Sequence, residues 1–276
     1  RDPLISGTTL TIAISQSGET ADTLAAARLA QEKGSRLLAL TNVVGSTLSR
    51  GADDVLYTRA GPEIAVASTK AYLTMLVGEC LLALYVGRRR GAISGPTSAR
   101  LAGEIQGLPA KLEDVLKRED AVSEAAARLI KHDDVYFIGR GLDHAVAMEG
   151  SLKLKEISYM HSEAMPAGEL KHGTLALVTD GTPVVVVITQ GDVYDKTISG
   201  LQEVKARGAQ VIAVAYDDDA DIHKYVDQVL AIPRVDDLLS PVLSIVPLQL
   251  LAYQIAAVRG HDIDQPRNLA KSVTVE

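Results

Sequence analysis

The sequence has no tryptophan, one phenylalanine and one cysteine in 276 residues. So little ring volume excludes a core built on stacked aromatics. The interior must be filled by Ala, Val, Leu and Ile, which carry most of a 47% hydrophobic composition and suit helices packed on a parallel sheet. A single thiol, Cys80, excludes a disulfide framework and a cysteine-rich metal site. It lies in the apolar stretch Leu76–Val86 and reads as a small core residue, in keeping with a reducing cytoplasm. Basic residues are not in excess: 28 Lys and Arg stand against 35 Asp and Glu, a net charge of −7. That excludes a broad nucleic-acid surface but not a local cationic pocket. No run reaches roughly 18 consecutive apolar residues. Leu73–Val86 comes nearest, but Glu79 interrupts it and Arg88-Arg89-Arg90 ends it, so no membrane span is expected. A signal-peptide pattern is absent too. The start, Arg1-Asp2-Pro3, has no initiator methionine, and the expectation is a fragment or processed chain with a segment upstream.

What is present is an order that repeats. Thr11–Ser15 is a β-rich run closed by a polar loop, Glu19–Lys33 reads as a helix stopped by Gly34, and Arg36–Leu40 is the next strand. Val184–Thr189, Tyr194–Arg207, Gly208 and Gln210–Ala215 follow the same order. Gln190 minus Gln16 and Gly208 minus Gly34 both give 174, the mark of an internal duplication. Each half continues with a third strand (Asp54–Thr58; Gln228–Pro233) and a long helix (Ser68–Gly87; Ser240–Gly260). The second half also has an opening strand and helix, Val135–Gly139 and His144–Ser158, without counterpart in the first. Strands alternating with helices imply parallel sheets with right-handed crossovers and ligands at the C-terminal strand edge.

Several motifs fall at that edge. Ser15-Gln16-Ser17-Gly18-Glu19-Thr20 joins a strand to a helix and offers three hydroxyls, a glycine and a helix N-terminus. It reads either as a phosphate cradle or as ordinary capping by Ser17 with Thr20. Ser68 or Thr69, in Val66-Ala67-Ser68-Thr69-Lys70, caps the next helix or touches a sugar hydroxyl. Gly139-Arg140-Gly141-Leu142-Asp143-His144 lacks the third glycine of a dinucleotide loop and reads as a tight turn into a helix capped by Asp143. Glu149, Lys153 and Glu156, at i, i+4 and i+7, share one helical face; they are surface ion pairs or a proton-transfer row lining a pocket. Glu169-Leu170-Lys171-His172-Gly173 puts a histidine in a loop, where it suits acid–base work or simply meets solvent. His161 and His172 lack metal-ligand spacing, so no metal site is expected. The tail, Asp264–Glu276, has no acidic run, no Gly/Ser bias and no helical period. It suits a segment lying over a pocket, with Lys271 as a plain surface lysine or an amine that attacks a sugar carbonyl.

Together, Ser15–Thr20, Val66–Lys70, Glu149–Glu156, Glu169–Gly173 and the tail resemble the sugar isomerase (SIS) family over essentially the whole chain. Within it they resemble most the isomerase domains of the glutamine–fructose-6-phosphate aminotransferase family. The resemblance implies an α/β fold of two tandem SIS subdomains, each a flavodoxin-like parallel sheet flanked by helices, the first lacking its opening strand. The expected divisions are 1–93 (first subdomain), 94–133 (helical connector), 134–260 (second subdomain) and 261–276 (active-site tail). It further implies that Ser15, Gln16, Ser17 and Thr20 hold the phosphate of fructose 6-phosphate, that Val66 (through its backbone), Ser68 and Ala270 line the sugar, and that Lys271 engages the C2 carbonyl. Glu156 would move a proton between C1 and C2, Lys153 would relay protons, Glu149 would orient Lys153, and His172 would assist ring opening. The implied product is glucosamine 6-phosphate, made with ammonia from an N-terminal glutaminase domain that this chain lacks. No metal, nicotinamide or other cofactor is needed. The implied assembly is a cytoplasmic homodimer with His172 reaching a neighbouring subunit's site, and neither nucleic acid nor membrane is a partner. Two other readings of the same fold are a non-catalytic phosphosugar sensor, which has no use for Glu156, His172 or Lys271, and a phosphosugar deaminase or deglycase.

Overall fold

The computed structural model describes residues 2–274; Arg1 and the last two residues of the tail, Val275 and Glu276, lie outside the described residues. The chain forms two compact units, one of residues 2–89 with 267–274 and one of residues 90–266.

In the first unit, β1 (Leu10–Ser15), β2 (Arg36–Thr41) and β3 (Asp54–Tyr57) form a parallel sheet in the order β1-β2-β3. α1 (Ala21–Glu32) connects β1 to β2, and the short α2 (Thr47–Gly51) connects β2 to β3. A small core of Ala13, Ala27, Leu37, Ala39 and Leu48 holds these together. α3 (Lys70–Arg89) follows β3 and approaches the sheet so closely that a Cβ on Gly78 would meet Leu40 Cδ1 at 2.9 Å.

The second unit opens with α4 (Gly95–Leu116) and α5 (Glu119–Leu129). Ser94 caps α4 by accepting from Thr97 N, as its Ser-Gly-Pro start leads one to expect. β4 (Asp134–Gly139), α6 (Leu142–Ser158), β5 (His161–Pro166), β6 (Pro183–Ile188), α7 (Tyr194–Lys205), β7 (Gln210–Tyr216), β8 (Gln228–Ile232) and α8 (Ser240–Val258) follow. All five strands are parallel, in the order β5-β4-β6-β7-β8. Renumbered within the unit this is 2-1-3-4-5, the flavodoxin-like order, whose switch point lies between β4 and β6. Ile138, Val184, Val186, Leu201, Val204, Val211 and Ala213 belong to one core cluster. α4, α5 and α6 all pack on α8.

The duplication is visible bond by bond. Leu38 pairs with Asp54 and Ile212 with Gln228, each 174 apart. Leu37 N donates to Asp53 Oδ2 at 2.8 Å, and Val211 N donates to Asp227 Oδ2 at 2.7 Å. Among the described residues the first sheet lacks a counterpart of β4, the opening strand expected to be missing, and also one of β5. β5 escapes a sequence reading because His161-Ser162-Glu163-Ala164-Met165-Pro166 has neither a β-branched run nor clean alternation.

By length and composition α3 and α8 both meet the requirement for a membrane crossing, which no uninterrupted apolar run in the sequence suggests. α8 places that apolar surface inside its unit, from Val242 and Leu243 to Ile255 and Ala256.

Candidate active site

In the first unit the loop after β1 is held in one shape by its own side chains. Ser15 Oγ accepts from Gly18 N at 3.0 Å and lies 3.3 Å from Thr20 Oγ1, while Ser17 Oγ accepts from Glu19 N at 3.2 Å. Gly18 sits at φ 68°, and a Cβ there would come within 2.2 Å of Ser46 Oγ, so only glycine fits. Thr20 is the N-cap of α1 but makes no side-chain capping bond. The first helical N–H, that of Ala21, is taken instead by the tail: it donates to Val273 O at 3.1 Å. Ser272 Oγ stands 3.3 Å from Ser17 Oγ. Glu19 turns away and accepts from Thr47 N at 2.8 Å, a backbone hydrogen bond that lowers its carboxyl pKa.

Lys271 therefore arrives beside the loop. Its Nζ donates to Ala65 O at 2.7 Å and lies 4.0 Å from Glu63 Oε2. A cleft of about 610 Å³ is lined by Gln16, Ser17, Asn42, Tyr57, Arg59, Glu63 and Lys271, among others. Two cations, Arg59 and Lys271, stand there against one carboxylate, the local cationic pocket that the net charge of −7 left open. Asn42 shapes its far wall. Asn42 Oδ1 accepts from Thr58 Oγ1 (3.1 Å) and Ala60 N (2.9 Å), and Asn42 Nδ2 donates to Gly61 O (2.8 Å). Arg59 is held there at φ 54°.

Of the residues expected to bind substrate, Gln16, Ser17 and Lys271 line this cleft. Ser15 is buried beneath the loop, Ala270 is exposed, and Ser68 donates to Glu63 Oε2 at 3.0 Å at the start of α3. Sequence reasoning missed Glu63, Asn42 and Arg59, none of which belongs to a recognisable motif.

In the second unit, α6 carries Glu149, Lys153 and Glu156. Lys153 is buried, its Nζ 2.5 Å from Glu156 Oε2 and 3.3 Å from Glu149 Oε1. Burial raises the Glu149 carboxyl pKa, with Lys153 acting against it. With its side chain 4% exposed between two carboxylates, Lys153 is not part of a solvated surface pair. His172 ends a 3₁₀ turn, Leu170–His172, exposed at the surface while Leu170 anchors the turn in the core. His161, at the start of β5, pairs with Asp134 at 2.7 Å. Among the described residues no group of three or more His, Cys, Asp or Glu side chains could hold a metal ion.

Asp143 differs from expectation. The N-cap of α6 is Gly141, without a side-chain bond, and Asp143 reaches across to the end of β6 instead. It accepts from Thr189 N (2.7 Å), Thr189 Oγ1 (2.5 Å) and Gln190 N (3.1 Å). Thr189-Gln190 is the counterpart of Ser15-Gln16, so where the first repeat turns its loop toward a cleft, the second seats its own carboxylate. The cleft beside that loop is lined by Asp195, Asp218, Asp219 and Asp221 with Arg234, an acidic setting for any phosphate.

The family profile of the SIS domain matches residues 1–84 and 128–259. The chain is 57% identical over all its 276 residues to a Symbiobacterium thermophilum protein described as an isomerizing glutamine–fructose-6-phosphate aminotransferase, and spans 45% of its length. A Thermus thermophilus protein of the same description is 52% identical over the whole chain, which spans 46% of it. The chain thus spans less than half the length of these curated relatives. Among solved structures, the C-terminal domain of glucosamine-fructose-6-phosphate aminotransferase from Francisella tularensis superposes with a TM-score of 0.91 at 38% identity, covering 96% of this chain and 75% of that one. A glucosamine-6-phosphate deaminase from Thermotoga maritima gives 0.75 at 26% identity, over 99% and 77%.

Proposed function

Since the chain belongs to the SIS-domain family, we propose that it is the sugar-isomerase part of a glutamine–fructose-6-phosphate aminotransferase, turning fructose 6-phosphate and ammonia into glucosamine 6-phosphate. One observation carries this reading: the hydroxyl loop after β1 and the amine of Lys271 open onto the same cleft. A phosphosugar has an anion at one end and a carbonyl at the other, and needs both partners at a fixed separation. The relatives named above support the choice of sugar.

In this reading the phosphate rests on Ser15, Gln16, Ser17 and Thr20 at the N-terminus of α1. Val66, through its backbone, Ser68 and Ala270 line the sugar. Lys271 attacks C2 of the open ketose and water leaves; ammonia then adds to that imine and expels the Lys271 amine, and the C2 ketimine so formed acidifies the C1 hydrogen, as the C2 carbonyl itself does when ammonia is absent. Glu156 takes that proton from C1 and returns it to C2. Lys153 relays protons to the sugar hydroxyls, Glu149 holds Lys153, and His172, shared across a homodimer, assists ring opening. General acid–base steps of this kind contribute roughly 10²–10⁴-fold. The functional divisions are 1–93, 94–133, 134–260 and the tail 261–276. Ammonia comes from a glutaminase domain outside these residues, in keeping with the greater length of the relatives, and the enzyme works in the cytoplasm.

The test is conversion of fructose 6-phosphate to glucose 6-phosphate by this chain without glutamine, beside a Lys271→Ala control. The expected result is turnover that falls at least about 100-fold in the control. Binding of the phosphosugar without turnover would favour a sensor instead. Release of ammonia from glucosamine 6-phosphate in preference to isomerisation would favour a deaminase, the reading to which the Thermotoga neighbour lends support.

A further inference from the structure

Glu63 belongs to none of the motifs read from the sequence, yet four hydrogen bonds converge on its carboxylate. Its side chain is 3% exposed. Oε1 accepts from Thr69 N and Thr69 Oγ1, both at 3.0 Å, and Oε2 accepts from Ser68 Oγ at 3.0 Å and Ala71 N at 3.3 Å. Lys271 Nζ stands 4.0 Å from Oε2 while donating to the carbonyl of Ala65, two residues further along the same loop. Both Glu63 and Lys271 line the cleft that the Gln16-Ser17 loop opens onto.

A helix cap alone does not call for this arrangement. Capping is ordinarily the work of a short side chain at the N-cap itself, satisfying one orphan N–H, and Ser68 or Thr69 could supply it. Here a glutamate from upstream commits both oxygens to the first turn and turns the two hydroxyls into its donors. The result is a carboxylate fixed by four hydrogen bonds, unable to swing, with its charge set at one point beside the cleft. An opposite charge fixed nearby limits where a flexible four-carbon amine can stand.

We propose that Glu63 is a positioning residue for Lys271. It ties the loop after β3, the start of α3, Ser68 and the tail lysine into one rigid edge of the cleft, so that the amine stands at a set distance from the anion seat. No proton transfer is assigned to Glu63, since both its oxygens already serve as acceptors. The inference rests on the reading of Lys271 as the amine that meets the sugar carbonyl.

The test uses the 276-residue chain and the substitutions E63Q and E63D with two independent readouts. The first is isomerisation: E63Q should lower kcat about 10- to 100-fold, since truncating a positioning contact of this kind costs about that much. KM and the inhibition constant of inorganic phosphate should stay within about threefold, and E63D, which keeps the charge, should recover part of kcat. The second needs no turnover. Acetaldehyde with cyanoborohydride alkylates accessible amines, and peptide mapping gives the labelling of Lys271 relative to the exposed Lys117. E63Q should change that ratio at least about threefold, because the constraint on the amine is gone. If phosphate affinity and melting temperature fall together with kcat, Glu63 is only a cap and the proposal is wrong. An unchanged labelling ratio overturns it as well. Should the wild-type chain show no isomerisation at all, the functional reading fails, and the labelling ratio still decides the role of Glu63.

Discussion

Asp143 shows how one side chain can be costly and necessary at once. It is 1% exposed, and burial is the largest influence on it, raising its carboxyl pKa against the lowering effect of the bonds from Thr189 and Gln190. With the folded pKa above the unfolded value of about 3.9, the native state holds the proton to higher pH than the unfolded chain does. The stability linked to this proton is therefore complete below about pH 3.9 and is lost as pH rises through the folded pKa. Asn is nearly isosteric, and its oxygen can accept the two N–H groups while its amide donates to Thr189 Oγ1, whose proton then goes to Ser240 Oγ, 2.8 Å away. Urea unfolding of D143N between pH 4 and 7 should show a flatter pH dependence than wild type, with the balance moving toward Asn as pH rises. Equal slopes would mean that Asp143 does not titrate in this window. Asp143→Ala should instead lose roughly 1–3 kcal/mol for each buried N–H left without an acceptor.

This scale also marks where sequence reading stops. The hydroxyl loop, the α6 row and Lys271 were legible because each couples a residue type to a spacing or a position. Glu63 was not. A carboxylate that caps a helix from a preceding irregular loop leaves no S-x-x-E pattern, and its second partner lies in the tail. Asp143 was misread for the opposite reason: a residue at a turn into a helix is the usual cap, and only the fold brings the end of β6 within its reach.

At the scale of elements, strands are legible where β-branched residues run together, as in Pro183–Ile188, and not at β5, which holds no Val, Ile or Thr. α3 starts at Lys70, not at Ser68, because Ser68 and Thr69 are engaged by Glu63 ahead of the first turn. The helix pair α6–α8 meets through a close contact. A Cβ on Gly150, next to Glu149, would meet Leu248 Cδ1 at 2.5 Å and Leu248 Cβ at 3.1 Å. The methyl end can rotate away, but Cβ moves only with α8. Gly150→Ala should cost about 1–3 kcal/mol through overpacking, minus the few tenths to 1 kcal/mol that Ala gains over Gly in a helix. Leu248→Ala in the same chain should relieve most of the clash. Thermal melts of both single variants and the double variant give the coupling; strictly additive losses would show that the two helices do not meet through this pair.

For the whole molecule, the consequential fact is that the chain returns. Residues 90–266 form the second unit, and the tail then rejoins the first. There it contributes a carbonyl to the first N–H of α1, a hydroxyl beside Ser17 and the amine of Lys271. The candidate cleft of the first unit therefore draws on residues 271–273 from the end of the chain, which belong to that unit. A chain ending at Pro266 should keep the second unit folded, with its buried amides in β6 and β7 exchanging as slowly as in the full chain. It should lose isomerisation entirely with Lys271. Affinity for inorganic phosphate should fall only a few-fold, because the Ser15–Thr20 loop keeps its internal bonds while the freed Ala21 N–H gains solvent or ligand as a partner. Hydrogen exchange and phosphate titration on the truncated chain check both halves. Loss of protection in β6 and β7 would show that the tail supports more than the unit it touches, and unchanged turnover would remove Lys271 from the chemistry.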